Sequence, residues 1–302
     1  MIVLLSCCDS KKSKNNSLTE TTGFKLLSPN ITNINFKNTL TETDSFNYFI
    51  YEGMYNGAGV GLLDVNNDGL LDMILISNQE TDKLYLNKGG FKFEDITKSS
   101  GIKKSNEWES GVTIADINAD GWDDIYISCN LSDNSAFRRN KLYINNKNNT
   151  FTESAKLFGI DDIGYSIHAN FFDYDLDGDL DLFVVNQPPN NYELKNKLQH
   201  KIELKYSSKF YENINNKNFI DKSKETNLQN SSYALSATIG DISNDGWPDI
   251  YISNDYEEPD QLFINNKNKT FTNISNTSLR HMSNFSMGVD IADFNNDGWL
   301  DI

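Results

Sequence analysis

Aspartates at a fixed spacing dominate this 302-residue sequence. The nine-residue pattern D-x-[DNS]-x-D-G-x-x-D occurs five times, with an oxygen-bearing side chain at positions 1, 3, 5 and 9 of each copy. These residues are Asp64, Asn66, Asp68 and Asp72; Asp116, Asn118, Asp120 and Asp124; Asp173, Asp175, Asp177 and Asp181; Asp241, Ser243, Asp245 and Asp249; and Asp293, Asn295, Asp297 and Asp301. Hard oxygen donors gathered around one point suit Ca2+, which accepts about six to eight of them, whereas Mg2+ keeps its water and needs a tighter octahedron. The glycine at position 6 permits a sharp turn, and the carbonyl of position 7 can face the same point. Without a cation, the carboxylates crowded into each nonamer repel one another. The third loop, with four aspartates among its donors, is expected to bind tightest, and the fourth, with Ser243 at position 3, more weakly.

An EF-hand opens with the same residues but requires a bidentate glutamate at position 12 and flanking helices. Position 12 here is Leu75, Ile127, Val184 and Ile252, all apolar, and the fifth copy stops before it. Both the EF-hand and helix-paired relatives of it are therefore excluded.

The charge balance agrees with cation binding. There are 27 basic and 43 acidic residues, for a formal charge of −16. Such a surplus excludes a nucleic-acid binder and an anionic membrane surface as direct partners, because both need basic residues. Eighteen aspartates lie in the five nonamers, and five Ca2+ ions would bring −16 to −6. Three cysteines (Cys7, Cys8, Cys129) and three histidines (His168, His200, His281) supply neither a disulfide framework nor a zinc centre.

The loops need a scaffold, and their flanks describe it. First-aspartate spacings are 52, 57, 68 and 52 residues. A small-and-apolar run precedes each loop, as in Gly111-Val-Thr-Ile-Ala115. A β-branched or aromatic run follows the first four, as in Ile125-Tyr-Ile-Ser128. Next comes Lys141-Leu-Tyr-Ile-Asn145 or its equivalent, then an Asn/Gly/Lys turn and a short strand such as Thr150-Phe-Thr-Glu153. Each unit is thus four short strands, the signature of a propeller blade, and the fold class is all-β.

The pattern resembles the FG-GAP/VCBS repeats of integrin-α-like propellers, and more closely the bacterial lipoproteins related to cartilage acidic protein and the ASPIC/UnbV family. The carrying residues are Gly57-Ala-Gly-Val-Gly61, the aspartate nonamers, Lys-Leu-Tyr-x-Asn, Phe93-Glu-Asp-Ile-Thr97 and Gly101-Ile102. The resemblance spans residues 31–302 and implies a seven-bladed β-propeller with Ca2+ in its blade loops. It also implies a place on the cell surface or outside the cell, and a role in interaction or adhesion with a protein or glycan. The alternative is a polysaccharide hydrolase or lyase, or its substrate-binding arm. Five loops and no ASPIC/UnbV segment lead to the expectation of an incomplete ring of about four to five blades, a piece of a longer protein. Asn35–Asn38 is a further strand that can pair with the last blade.

Residues 1–30 are expected to be a signal remnant and flexible tether. Leu4-Leu5-Ser6-Cys7 resembles the end of a bacterial lipoprotein signal, making Cys7 the lipid attachment point, and an outer-membrane or cell-surface lipoprotein, or a secreted protein, the expected product. An insertion from Gln187 to about Ser208 reads as a variable loop with the alternative of a binding loop. Trp122, Trp247 and Trp299 are expected to pack between blades, with an aromatic platform for glycans as the alternative; His168 is expected to be a core histidine, Cys129 an inert thiol at a strand end, and Arg138 and Arg139 to be solvated.

Overall fold

The computed structural model describes residues 23–103, 106–132, 134–188, 204–229, 232–256 and 258–302. Four antiparallel meanders of four strands follow one another along the chain. The first blade is β1 (Val60–Leu63), β2 (Asp72–Leu75), β3 (Lys83–Asn87) and β4 (Phe93–Asp95). The second is β5 (Trp108–Ala115), β6 (Asp124–Asn130), β7 (Lys141–Asn145) and β8 (Phe151–Glu153). The third is β9 (Ser166–Phe172), β10 (Asp181–Asn186), β11 (Lys209–Ile214) and β12 (Asn218–Asp221). The fourth is β13 (Ala234–Gly240), β14 (Asp249–Asn254), β15 (Gln261–Asn265) and β16 (Phe271–Asn273). The hairpin of a fifth unit closes through a bridge between Ala292 and Asp301. The result is an all-β arc of an incomplete β-propeller.

Strand periodicity explains how the blades stack. Every residue of β6, β10 and β14 is buried, although alternate side chains point to opposite faces. Ile125 and Ile127 of β6 join the core shared with blade 1, while Tyr126 joins the core shared with blade 3. Leu182 and Val184 of β10 face blade 2, whereas Phe183 and Val185 face blade 4. A continuous apolar run therefore marks a strand sandwiched between two neighbours.

The first strands carry small residues because they crowd together. A Cβ on Gly111 would lie 2.7 Å from the Ile167 carbonyl of the next blade. Adjacent first strands are also tied by side chains: Ser110 Oγ donates to Ser166 O at 2.7 Å, and Thr113 Oγ1 to Ala169 O at 2.8 Å.

The segment before β1 corrects one expectation. Residues Asn35–Asn38 form no strand and do not reach the last blade. They lie on blade 1, where Asn35 N–H donates to the Tyr85 hydroxyl, and Asn38 Oδ1 accepts from Ser77 Oγ and Asn78 N–H. Tyr51 and Met54 then pack with Trp108 and Leu131, satisfying apolar surface that strand pairing would not have covered. Among the described residues no helix is long and apolar enough to cross a membrane. Cys7 and the proposed signal lie outside the described residues, as does His200.

Candidate metal centres in the blade loops

All five nonamers connect the first and second strands of a repeat, and so share one face of the arc. Their conformation is written by the polar side chains themselves. The position-1 carboxylate accepts two backbone N–H groups, those of positions 5 and 6, in every copy. For Asp173 these are Asp177 N at 3.1 Å and Gly178 N at 2.9 Å. The position-5 carboxylate accepts the N–H of position 7, as Asp120 does from Trp122 at 3.1 Å. Where position 3 is asparagine, its Oδ1 also accepts the position-5 N–H. Each loop is thus a chain of side-chain-to-backbone turns that draws its oxygens inward.

Position 6 is left-handed as its glycine allows, with φ from 82° to 94°. Position 4 is left-handed as well, which the pattern did not announce: Asn67, Ala119, Leu176, Asn244 and Asn296 all have φ between 53° and 60°. Asparagine at three of these five positions was the available signal.

The position-9 aspartates behave differently from the other donors. Asp72, Asp124, Asp181 and Asp249 are buried, and both oxygens of each accept backbone N–H groups. Asp124 Oδ2 accepts from Ile117 at 3.1 Å and its Oδ1 from Asn145 at 2.8 Å. Asp72, Asp181 and Asp249 repeat this tie between the loop and the third strand of the blade. Burial, opposed by these hydrogen bonds and reinforced by neighbouring aspartates, pushes Asp124 up to about 7 and Asp181 up to about 8. Asp301 is exposed, and among the described residues its carboxylate accepts only from Phe294 N–H.

The third loop gathers its charge most closely. One carboxylate oxygen from each of Asp173, Asp175 and Asp177 lies within 4.8 Å of the others, and Asp181 is not part of that group. Asp175 Oδ1 is buried without a hydrogen-bond partner, and so is Ser243 Oγ in the fourth loop. Buried oxygen atoms are seldom left unpaired, so orphaned donors at position 3 of two loops fit a cation with oxygen ligands. Lysines meanwhile offset part of the charge: Lys269 Nζ lies 2.6 Å from Asp175, and Lys147 and Lys267 lie 3.3 Å from Asp120 and Asp245.

Residues 64–127, 129–184 and 244–302 match the FG-GAP-like repeat. The chain belongs to this FG-GAP-like repeat family. It is also similar to integrin alpha-6 of Gallus gallus, 28% identical over 150 residues, which is 45% of this chain and 13% of that protein's length. Two solved structures overlap parts of the fold. One concerns recognition of non-reducing terminal N-acetylglucosamine by an Agrocybe aegerita lectin (15% identity, 70% of this chain and 49% of that chain, TM-score 0.39). The other is the V. cholerae biofilm matrix protein Bap1 (12% identity, 74% of this chain and 30% of that chain, TM-score 0.38).

Other FG-GAP-repeat residues singled out from the sequence fall as follows. Trp122 and Trp247 are partly buried, whereas Trp299 is 56% exposed in the fifth hairpin, not packed between blades. Cys129 is fully buried, and burial pushes its thiol well up. His168 is partly buried on β9, and burial lowers its pKa. Arg138 is not solvated: it is 8% exposed and held by backbone carbonyls, while Arg139 is exposed and paired with Asp161. Sequence reasoning also missed a buried cluster between blades 1 and 2, where Lys141 Nζ lies 2.5 Å from Glu109 and 3.3 Å from Glu107, and Asp82 adjoins Glu109.

Proposed function

We propose that this chain is a Ca2+-stabilised adhesion or interaction module that acts outside the cell on a protein or glycan partner. The observation that carries the metal half is the third loop, where three carboxylates converge and Asp175 Oδ1 lacks any other partner. Asp173, Asp175 and Asp177 would hold the ion there, and positions 1, 3 and 5 of the other loops would do the same. The position-9 aspartates are proposed as ligands too, in addition to their backbone ties. A bound divalent cation supplies charge neutralisation and a cross-link within each loop. The chain's own residues fix the loop's turns and deliver the oxygens. Metal binding then adds to folding stability, since the metal-free fold retains the carboxylate repulsion.

The binding half is supported by the repeat family, by the integrin similarity and by the stacked blades, which leave the loops of both faces free to vary. In this reading the chain binds its partner and does not turn it over. Surface display through a lipid on Cys7 is part of the proposal, and palmitate labelling that disappears in Cys7→Ala tests it.

Calorimetry of the full chain against Ca2+ tests the metal reading. Several sites are expected, with one lost in Asp177→Ala and the thermal midpoint lowered by a chelator. Absence of any Ca2+ heat and of any chelator effect would remove it.

A further inference from the structure

The loops on the opposite face of the arc enclose a cleft. It measures about 420 Å³ and opens between blades 2 and 3, at the end of the strands away from the aspartate loops. Arg138, Asp162, Tyr165, Asn186, Tyr206 and Tyr211 line it. We infer that this cleft binds a carboxylated saccharide, with its acid group on Arg138 and its ring against the tyrosines. The inference deepens the interaction-module reading and rests on it.

Arg138 carries the argument. The residue is 8% exposed, and no carboxylate pairs with it among the described residues. Nε donates to Ile163 O and Gly164 O, both at 3.2 Å, and Nη1 donates to Ser132 O. Its carbon lies 3.9 Å from the centroid of the Tyr165 ring. Carbonyls and a ring face stabilise the cation without neutralising it, and a buried charge is costly until an anion meets it. A planar guanidinium is the side chain best shaped to receive a carboxylate.

The remaining lining selects the kind of anion. The Tyr165 and Tyr206 rings meet edge-on with centroids 5.8 Å apart, Lys205 Nζ lies 4.8 Å from the Tyr206 centroid, and Tyr211 is buried beside them, so the rings present their uncovered edges to a sugar's C–H groups. Asp162 accepts from Gly164 N–H and Asn186 Nδ2, placing a fixed carboxylate and an amide on the same lining. A ligand hydroxyl can donate to the Asp162 carboxylate, whereas the Asn186 amide is already satisfied, giving to Asp162 and Ser207 O and accepting from Ser166 Oγ. Lys205 and Lys209 also border the cleft, Lys209 being paired with Asp221 at 2.8 Å, so Arg138 and Lys205 face the single lining carboxylate of Asp162. The volume falls at the small end of the range for ligand pockets, about 300–1,000 Å³, and fits one or two sugar rings. Lys205 and Tyr206 come from the insertion that lengthens the third repeat, which gives that insertion a role in binding.

The test is calorimetric titration of the Ca2+-loaded full chain with trisaccharides of galacturonate, glucuronate and mannuronate, with their neutral methyl esters, and with a triglutamate peptide. At least one uronate trisaccharide is expected to bind at least tenfold more tightly than its ester and than the peptide. Arg138→Gln should weaken it at least tenfold. Tyr206→Ala, which keeps the buried cation, should weaken it several-fold and covers the case in which Arg138→Gln does not fold. Loss of the Ca2+ heats with saccharide binding intact would remove the metal reading alone, and loss of saccharide binding with the Ca2+ heats intact would overturn the cleft alone, which separates the two failures. The inference is overturned if none of the three uronates binds, if acid and ester bind alike, if both cleft variants retain affinity, or if the peptide binds best.

Discussion

Asn145 holds Asp124 and the preceding blade at once. Its backbone N–H donates to Asp124 Oδ1 at 2.8 Å, and its side-chain Nδ2 donates to the Val65 carbonyl of the first blade's loop at 3.0 Å. Asn265 repeats the arrangement with Asp249 and the Tyr174 carbonyl. The asparagine that closes the third strand of blades 2, 3 and 4 is therefore a joint to the preceding blade, whereas Asn87 of blade 1 gives its side-chain amide to the Leu71 carbonyl of its own blade. Asn145→Ala is expected to destabilise the protein by about 1–2 kcal/mol, because it leaves the buried Val65 carbonyl without this donor. The neighbouring exposed Asn146→Ala should cost no more than about 0.5 kcal/mol. Urea unfolding midpoints compare the two.

Lys269 competes for the third loop. Its ammonium lies 2.6 Å from Asp175 and also 2.6 Å from Glu212, but the side chain is 57% exposed, so solvent weakens the pair. Lys269→Met should tighten Ca2+ binding at this loop by a few-fold at low salt, and by less as ionic strength rises. Calorimetry at two salt concentrations reads both effects, and looser binding in the variant would contradict the competition.

Asp82 makes stability depend on pH. Burial first, and the adjoining Glu109 carboxylate second, push it up to about 9. A carboxyl group whose folded value lies above its unfolded value contributes most at low pH. That contribution is lost as pH climbs from about 4 towards 9, at a slope of at most about 1.4 kcal/mol per unit. Asp82→Asn removes the titration while keeping a donor towards Glu109. Its thermal midpoint relative to wild type should therefore rise steadily between pH 6 and pH 9, and a flat difference would remove Asp82 as the source.

Leu176 occupies the left-handed position 4 of the third loop with φ of 60°. A leucine there carries a steric penalty that asparagine largely escapes. Leu176→Asn is expected to stabilise the protein by about 0.5–1 kcal/mol in melts performed with chelator, so that metal binding does not mask the backbone effect.

The repeat period, the four strands of each blade, the turns and the oxygen donors were all legible in the residues, because each is local. An apolar run, an Asx turn or a glycine at position 6 depends on neighbours within a few residues, and five copies of one pattern reinforce one another. The separate role of the position-9 aspartates was not legible. In Asp124 and Asp249 the deciding partner is a backbone N–H 21 or 16 residues further on, which no nonamer contains.

What the chain alone determined, then, is the blade and the chemistry of its acidic loop. What only the tertiary structure decided lies between blades. Arg138 reads as one of two surface cations, yet Tyr165 and the carbonyls of residues 163 and 164, about 25 residues away, bury it. Asp82, Glu109 and Lys141 are unremarkable apart and form a charged cluster only when blades 1 and 2 meet. The reason is physical: local patterns fix hydrogen bonding within a sheet, whereas the environment of a charge depends on which distant surface excludes water from it.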